Sequence, residues 1–428
     1  MLPRFLLLLL AATNVVFADA ARTEFDGHTK LRVVGQTYPA DSVFRDLIGS
    51  RSVDTQGDLR LNMKTRKDGW TFAANYQLAV LNSELLQVPN DDRRFFNLTS
   101  TIKENETTAI LHRLDRLWIG FTSEKVVLRF GRQALSWGNG LFYAPMDLVN
   151  PFDPSSVDTE YKAGDDMLYS QYLQDSGADM QGAYVIRRDV VSGDVESDKA
   201  TGAFKYHGFA GAAEYDVLLA EHYGDTVIGV GIGHALGGAQ WGGDLVATKT
   251  DRDTYLQLVT NISYSWVFAE KNMSGALEYH FNGFGQKNGE YSPQALLGNP
   301  DLLVRLARGE MFTVGRHYLA GSVMIELTPL WTVSPTLLSN AEDPSALLQL
   351  VTSYSLADNA TLLGSLNIPL GSNGSEFGGI ESGAPEQYLS SGGGVFVQLA
   401  WYFRALFRLA ISRRNTGSIS SSKTGSLM

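Results

Sequence analysis

Among the residues able to do chemistry, the histidines are few and scattered. His28, His112, His207, His222, His234, His280 and His317 show no spacing such as His-Glu-x-x-His that would bring two imidazoles to one metal ion. The chain has no cysteine, which excludes a disulfide framework, a thiolate metal site and a cysteine nucleophile. Gly-Ser at 321–322 and at 371–372 lacks the nucleophile-elbow form, and the Gly229–Gly233 run sits within a strand pattern rather than opening a helix around a phosphate. Glu278 and His280 share one strand face, which a polar cavity explains without catalysis. No nucleophile, base and orienter come together. We expect no catalytic residues, no metal and no cofactor.

The charged residues that do gather lie in and around one stretch, VVLRFGRQALSWGNGLFYAPMDLVNPFDPSSVDTEYKAGD, from Val126 to Asp165. It begins as a strand with Val126, Leu128 and Phe130 on one face and Val127, Arg129 and Gly131 on the other. It then breaks into glycines, prolines and aromatics. Arg129 should point away from the apolar face, and Arg116 is likewise opposite Leu117 and Ile119. The acidic set Asp147, Asp153, Asp158 and Glu160 can face basic positions on neighbouring strands. Opposed charge across a water-filled passage would orient dipolar solutes and set ion preference. For Arg129 and Asp147, anchoring of the loop leads and solute contact remains open, because buried ion pairs are weak signs of function. For Trp137 and Phe142, packing within the loop leads.

The elements that position this stretch follow from composition and periodicity. The 428 residues carry 19% charged side chains and 43 glycines. A net charge of −11 argues against a nucleic-acid partner. Residues 1–20 read as a cleaved signal peptide, with Arg4, the apolar run Phe5 to Ala12 and small residues at Ala18 and Ala20. No later apolar run is long enough for a membrane helix. Instead, segments of about ten residues alternate apolar and polar, as a tilted membrane strand requires. Trp70, Phe72, Ala74, Tyr76 and Leu78 oppose Thr71, Ala73, Asn75 and Gln77. Trp70, Trp118, Trp266, Trp331 and Trp401 stand near segment ends, where interfacial girdles place them.

Strands are expected to start near residues 29, 56, 69, 114, 125, 166, 178, 200, 212, 225, 239, 254, 272, 315, 330, 346, 359 and 393. That makes eighteen, with sixteen as the alternative. Long connections fall at 81–110, 134–165, 283–313 and 370–392, with a short helix over Asp301 to Arg308. In lipid only a closed sheet leaves no unpaired edge. The fold class is therefore all-β: a transmembrane antiparallel up-and-down barrel over 21–403. Residues 393–403 would be the closing strand and 404–428 a disordered basic tail.

Phe130-Gly131-Arg132-Gln133, Ser136-Trp137-Gly138-Asn139-Gly140, Pro145-Met146-Asp147 and Asn150-Pro151-Phe152 resemble a segment of porin-like outer-membrane barrels, a group that includes alginate-export-type and substrate-selective porins. The resemblance implies a Gram-negative outer-membrane channel. A barrel this wide needs narrowing to discriminate solutes, and 134–165 would fold into the lumen to do it. Arg116, Arg129, Arg132, Trp137, Asp147 and Asp153 are the expected constriction residues. Expected partners are outer-membrane lipid, small polar or charged solutes and the barrel-assembly machinery, with a homo-oligomer open. The alternatives are a component of an export or assembly complex and, last, an outer-membrane hydrolase.

Overall fold

The computed structural model describes residues 22–408. Eighteen strands form one closed ring. They are β1 (Arg22–Thr37), β2 (Arg51–Lys67), β3 (Trp70–Asn82), β4 (Thr108–Thr122), β5 (Val126–Gln133), β6 (Asp165–Leu173), β7 (Asp179–Val185), β8 (Thr201–Ala210) and β9 (Ala213–His222). The second half comprises β10 (Asp225–Leu236), β11 (Ala239–Lys249), β12 (Thr254–Phe268), β13 (Lys271–Asn282), β14 (His317–Thr328), β15 (Trp331–Asn340), β16 (Ser345–Ala357), β17 (Ala360–Leu370) and β18 (Gly394–Arg408). Each pairs antiparallel with its neighbours in the chain, and β18 pairs with both β17 and β1 to close the ring.

Closure answers a physical demand: in hydrocarbon every backbone amide needs a partner within the protein. The alternation follows the same logic. On β12, Leu256, Leu258, Ile262 and Tyr264 are exposed on the outer face while Gln257 and Asn261 are buried inside. On β18, Val395, Val397, Leu399 and Trp401 point out and Gln398 and Ala400 point in. Trp70, Trp331 and Trp401 stand exposed on the outer face. Trp118 does not join them: it pairs with Gly131 on the lumen parity, where cations use its ring.

All connections at one end are turns of two to five residues, and both described termini lie there. The other end carries the long connections 38–50, 83–107, 134–164, 186–200, 283–316 and 371–393. Three helices sit among them: α1 (Val43–Ile48), α2 (Pro293–Leu297) and α3 (Pro300–Arg308). The Asn299 side chain accepts from Leu302 N to cap α3, and Gly309 ends it with φ +70°. Among the described residues no helix is long and apolar enough to cross a membrane, which says nothing against crossing with strands.

One boundary is corrected. The closing strand does not stop at Phe403 but continues to Arg408, its backbone registered against Arg22 to Asp26 of β1. The strand can outrun the hydrocarbon layer because β1 and β2, at 16 and 17 residues, extend beside it and supply its ladder partners. The signal-peptide reading and residues 409–428 lie outside the described residues.

Candidate pore site

Arg129 and Arg132 are separated by the strand's own parity. Arg129 lies on the lumen face of β5, its guanidinium 5.2 Å from the ring of Trp118 and 5.7 Å from that of Tyr169. Arg132 shares the parity of Leu128 and Phe130, which are 44% and 42% exposed to the outside. Above the apolar belt the 83–107 connection covers that outer face. There Arg132 is buried, donating to Asp166 at 2.9 and 3.0 Å, to Asp91 at 2.9 Å and to Phe96 O at 2.6 Å. Burial would raise the Asp91 carboxyl, but the Arg94 hydrogen bond and the Arg132 charge hold it down to about 2. Arg132 therefore fastens a loop to the barrel's exterior, and its expected place at the constriction is corrected.

Residues 134–149 run along the inner wall from β5 to β14 and back. Trp137 Nε1 donates to Gln181 Oε1 of β7 at 2.7 Å. Asn139 donates to the Asp244 carboxylate of β11 through its backbone N and its Nδ2, both at 2.7 Å. The amides of Leu141, Phe142 and Tyr143 all donate to Glu278 of β13, at 2.5, 3.0 and 2.7 Å. Three convergent N–H dipoles stand in for a cation and let a carboxylate sit buried. Asn261 Nδ2 joins the two contacts by donating to Asn139 O and Glu278 Oε2. Glycine permits the path: Gly138 has φ +99°, and a Cβ on Gly140 would lie 1.8 Å from Tyr143 O. The wall yields as well, since a Cβ on Gly231 would meet Asp244 Oδ1 at 2.7 Å and Asn139 Nδ2 at 2.8 Å. Trp137 and Met146 complete a dry cluster with Val127, Leu218, Val227 and Val246, the packing role expected of Trp137.

The chain then leaves this wall. Val149 packs with Met167 of β6 and Val185 of β7, and six residues later Ser155 O accepts from Gln349 Nε2 of β16 at 2.9 Å. Strands β7 and β16 stand nine places apart in a ring of eighteen, so residues 149–155 join opposite walls. Asp153 stiffens that span, accepting from Ser155 N and Oγ at 2.7 Å each, rather than facing a basic wall. Past it, the expected pairing of acidic loop and basic wall does occur. Lys30 of β1 binds Asp158 at 2.8 Å and Glu160 at 2.7 Å, and Arg32 binds Asp158 at 3.0 Å. Tyr161 lies beneath Arg60 of β2, 4.1 Å from guanidinium to ring.

Lys162 staples the segment to itself. Its ammonium reaches Asp147 at 2.5 and 2.6 Å, Ser136 Oγ at 2.9 Å and Leu135 O. Arg116 donates to Lys162 O and to Asp115. Burial pushes the Asp147 carboxyl up to about 6 and the Lys162 ammonium below its ordinary value, against their mutual attraction. Arg116, Trp137, Asp147 and Asp153 thus all belong to the segment's own framework, and Arg129 stands apart on the wall. The sequence reading missed Lys162, Asp244, Asn261, Lys30 and Arg32, and it set Glu278 aside. A charged or amide residue inside a strand otherwise facing lipid was the available signal.

Two cavities flank the span. One, of about 410 Å³, is lined by Asn150, Asp165, Arg93, Arg187, Tyr223 and Arg308. The other, of about 250 Å³, is lined by Ser155, Gln36, Gln349, Asn367, Glu376 and Phe377. The first is arginine-rich and the second is lined largely by amides and hydroxyls.

No protein-family model matches this sequence, and no curated protein does. Solved structures are similar to it in fold. OccAB4 of Acinetobacter baumannii superposes with a TM-score of 0.52 at 9% identity, over 90% of this chain and 99% of that one. OccAB1 of the same organism gives 0.51 at 9% identity, over 90% and 96%. A BenF-like porin from Pseudomonas fluorescens Pf-5 gives 0.50 at 7% identity, over 90% and 99%. At these identities the likeness bears on architecture, and the architecture is that of an outer-membrane porin barrel.

Proposed function

We propose that this protein is a channel of the Gram-negative outer membrane through which small polar or charged solutes diffuse, and that residues 134–164 are its constriction. The observation that carries the reading is the span from Val149 to Ser155, which joins opposite walls of an eighteen-stranded ring. An open ring of that size leaves a water-filled lumen too wide to sort solutes, and a bar across it supplies the narrowing. The porin architecture supports the same reading. Export on a signal peptide at 1–20, insertion by the barrel-assembly machinery and assembly as a homo-oligomer belong to this proposal.

The test is conductance. Purified protein in planar bilayers should give stepwise current, and silence after verified insertion would defeat the channel. Deleting residues 138–158 should raise single-channel conductance and weaken selectivity. If both stay unchanged, the segment is not the constriction.

A further inference from the structure

Beyond the constriction itself, the mouth of the barrel holds a buried carboxylate with no ion-pair partner among the described residues. Glu376, in the 371–393 connection, accepts from Val314 N at 2.8 Å, from Tyr318 Oη at 2.6 Å and from Asn340 Nδ2 at 2.7 Å. Its own amide donates to Asp343 Oδ2 at 2.6 Å, and Phe377 N donates to Ser345 Oγ. These contacts bring the 371–393 and 283–316 connections together against β14 and β15. Next to Glu376, Phe377 packs against the cluster of Tyr143, Tyr318, Ala320 and Leu338, and so meets the constriction segment through Tyr143. Gly374, Gly379 and Gly383 all have positive φ, which gives the connection bends on both sides of Glu376.

We infer that Glu376 is the catch of a pH-dependent gate, holding Phe377 and the 371–393 connection in the mouth while it is protonated and releasing them once it is charged. The inference rests on the channel reading above and adds its regulation. The groups that face Glu376 are Tyr318 from β14, Asn340 from β15, Glu342 and Asp343 from the following turn, Tyr291 from 283–316 and Tyr143 from the constriction. None of these is a cation, and the guanidinium of Arg316 is turned to Gly285 O. Burial, with Asp343 adding repulsion, pushes the Glu376 carboxyl up to about 7 against the pull of its hydrogen-bond donors. An acid whose pKa is raised in the latched state favours that state when protonated. The latch is therefore strongest below the ordinary carboxylate range and weakens as pH climbs to about 7. Because a tyrosine hydroxyl can donate or accept, the Tyr318 contact survives in the protonated form.

Full-length protein in planar bilayers at pH 5 and pH 8 tests this. The wild type should favour the low-conductance state at pH 5. Between pH 5 and pH 8 the latch equilibrium should shift toward conduction by about 70-fold, at most tenfold per unit between the two pKa values. Glu376→Gln should stay in the low state at both pH values, and Glu376→Ala should conduct at both. Asp225→Asn, at an ion pair with Arg305 apart from the latch and from the constriction, should keep the wild-type response. Protease added from the long-loop side should cut 371–393 faster in wild type than in Glu376→Gln at pH 8, and equally at pH 5. A wild-type pH response retained in Glu376→Gln, or lost in Asp225→Asn alone, overturns the gate. Steady conductance with no pH response overturns it too and leaves the channel standing, whereas absence of any conductance defeats the channel first.

Discussion

At the scale of single residues, parity decides what a charge can do. Arg129 and Arg132 are three positions apart in one strand, yet one meets the lumen and the other an external loop. The sequence placed Arg129 correctly because Leu128 and Phe130 declare the lipid face. It misplaced Arg132 because nothing local announces that the 83–107 connection folds down over the outside. The two arginines should fail differently. Arg132→Met leaves Asp91 and Asp166 buried without their cation and should cost about 3–5 kcal/mol of stability. Denaturant unfolding and proteolysis of 83–107 would show it, with conductance per channel unchanged. Arg129→Ala breaks no ion pair and should leave stability intact. Glycine spacing held a signal that the sequence reading left unused. Gly229, Gly231 and Gly233 recur at period two, which puts all three on one strand face, and that face is where Asn139 and Met146 sit. Gly231→Leu should dislodge Asn139 from Asp244 and speed cleavage within 134–149, while heat-modifiable gel mobility confirms an intact barrel.

At the scale of elements, legibility tracked contact with hydrocarbon. Fifteen of the eighteen expected strand starts fall within two residues of those observed, and β1, β2 and β4 begin five to seven residues earlier than read. In those three the extra residues lie beyond the apolar belt. The outer parity of β1 near Arg22 carries Thr23, Gly27 and Thr29 around Phe25, which breaks the apolar alternation, and Ala109 to Arg113 of β4 pair with a loop strand over Thr99–Glu104. Without lipid, the alternation that marks a strand has no cause. The 134–164 segment was legible as a composition but not as a path. Its acceptors are single residues on distant strands, and register alone brings Asp244 and Glu278 under Asn139 and Tyr143. Glu278 offers the clearest test of that framework. Glu278→Ala orphans three amides, at about 1–3 kcal/mol for each one that lumen water does not re-satisfy. Hydrogen exchange at Leu141 to Tyr143 should accelerate well before the β13 amides respond.

Across the whole molecule, the lumen has two unlike walls. Near the short-turn end, β1, β2 and β5 carry Glu24, Asp26, Lys64, Arg66 and Arg129 on the inner parity. Around the rest of the ring, β12 to β17 present Ser263, Ser274, Ser322, Thr336, Ser353 and Ser365, which solvate a solute without charge, with Glu326 of β14 held by Asn272. On the charged wall Glu24 is paired with Arg66, while Lys64, across from Glu24 in the ladder, and Arg129 make no ion pair within 4 Å among the described residues and flank the ring of Trp118 at 5.9 and 5.2 Å. A cation held by an aromatic face keeps most of its outward field, because a ring quadrupole offsets charge far less than a carboxylate does. The lumen field at this wall should therefore draw its positive part from these two residues, set against Asp26, which accepts from Asn62, rather than from the many neutralised pairs that fasten the loops. Replacing both by alanine should move the zero-current potential in a salt gradient toward cation preference, most strongly at low ionic strength, where screening is weakest. Replacing Ser263, Ser322 and Ser353 by alanine should leave that potential where it was. Equal shifts from the two sets would mean that the charge on one wall does not set the channel's ion preference.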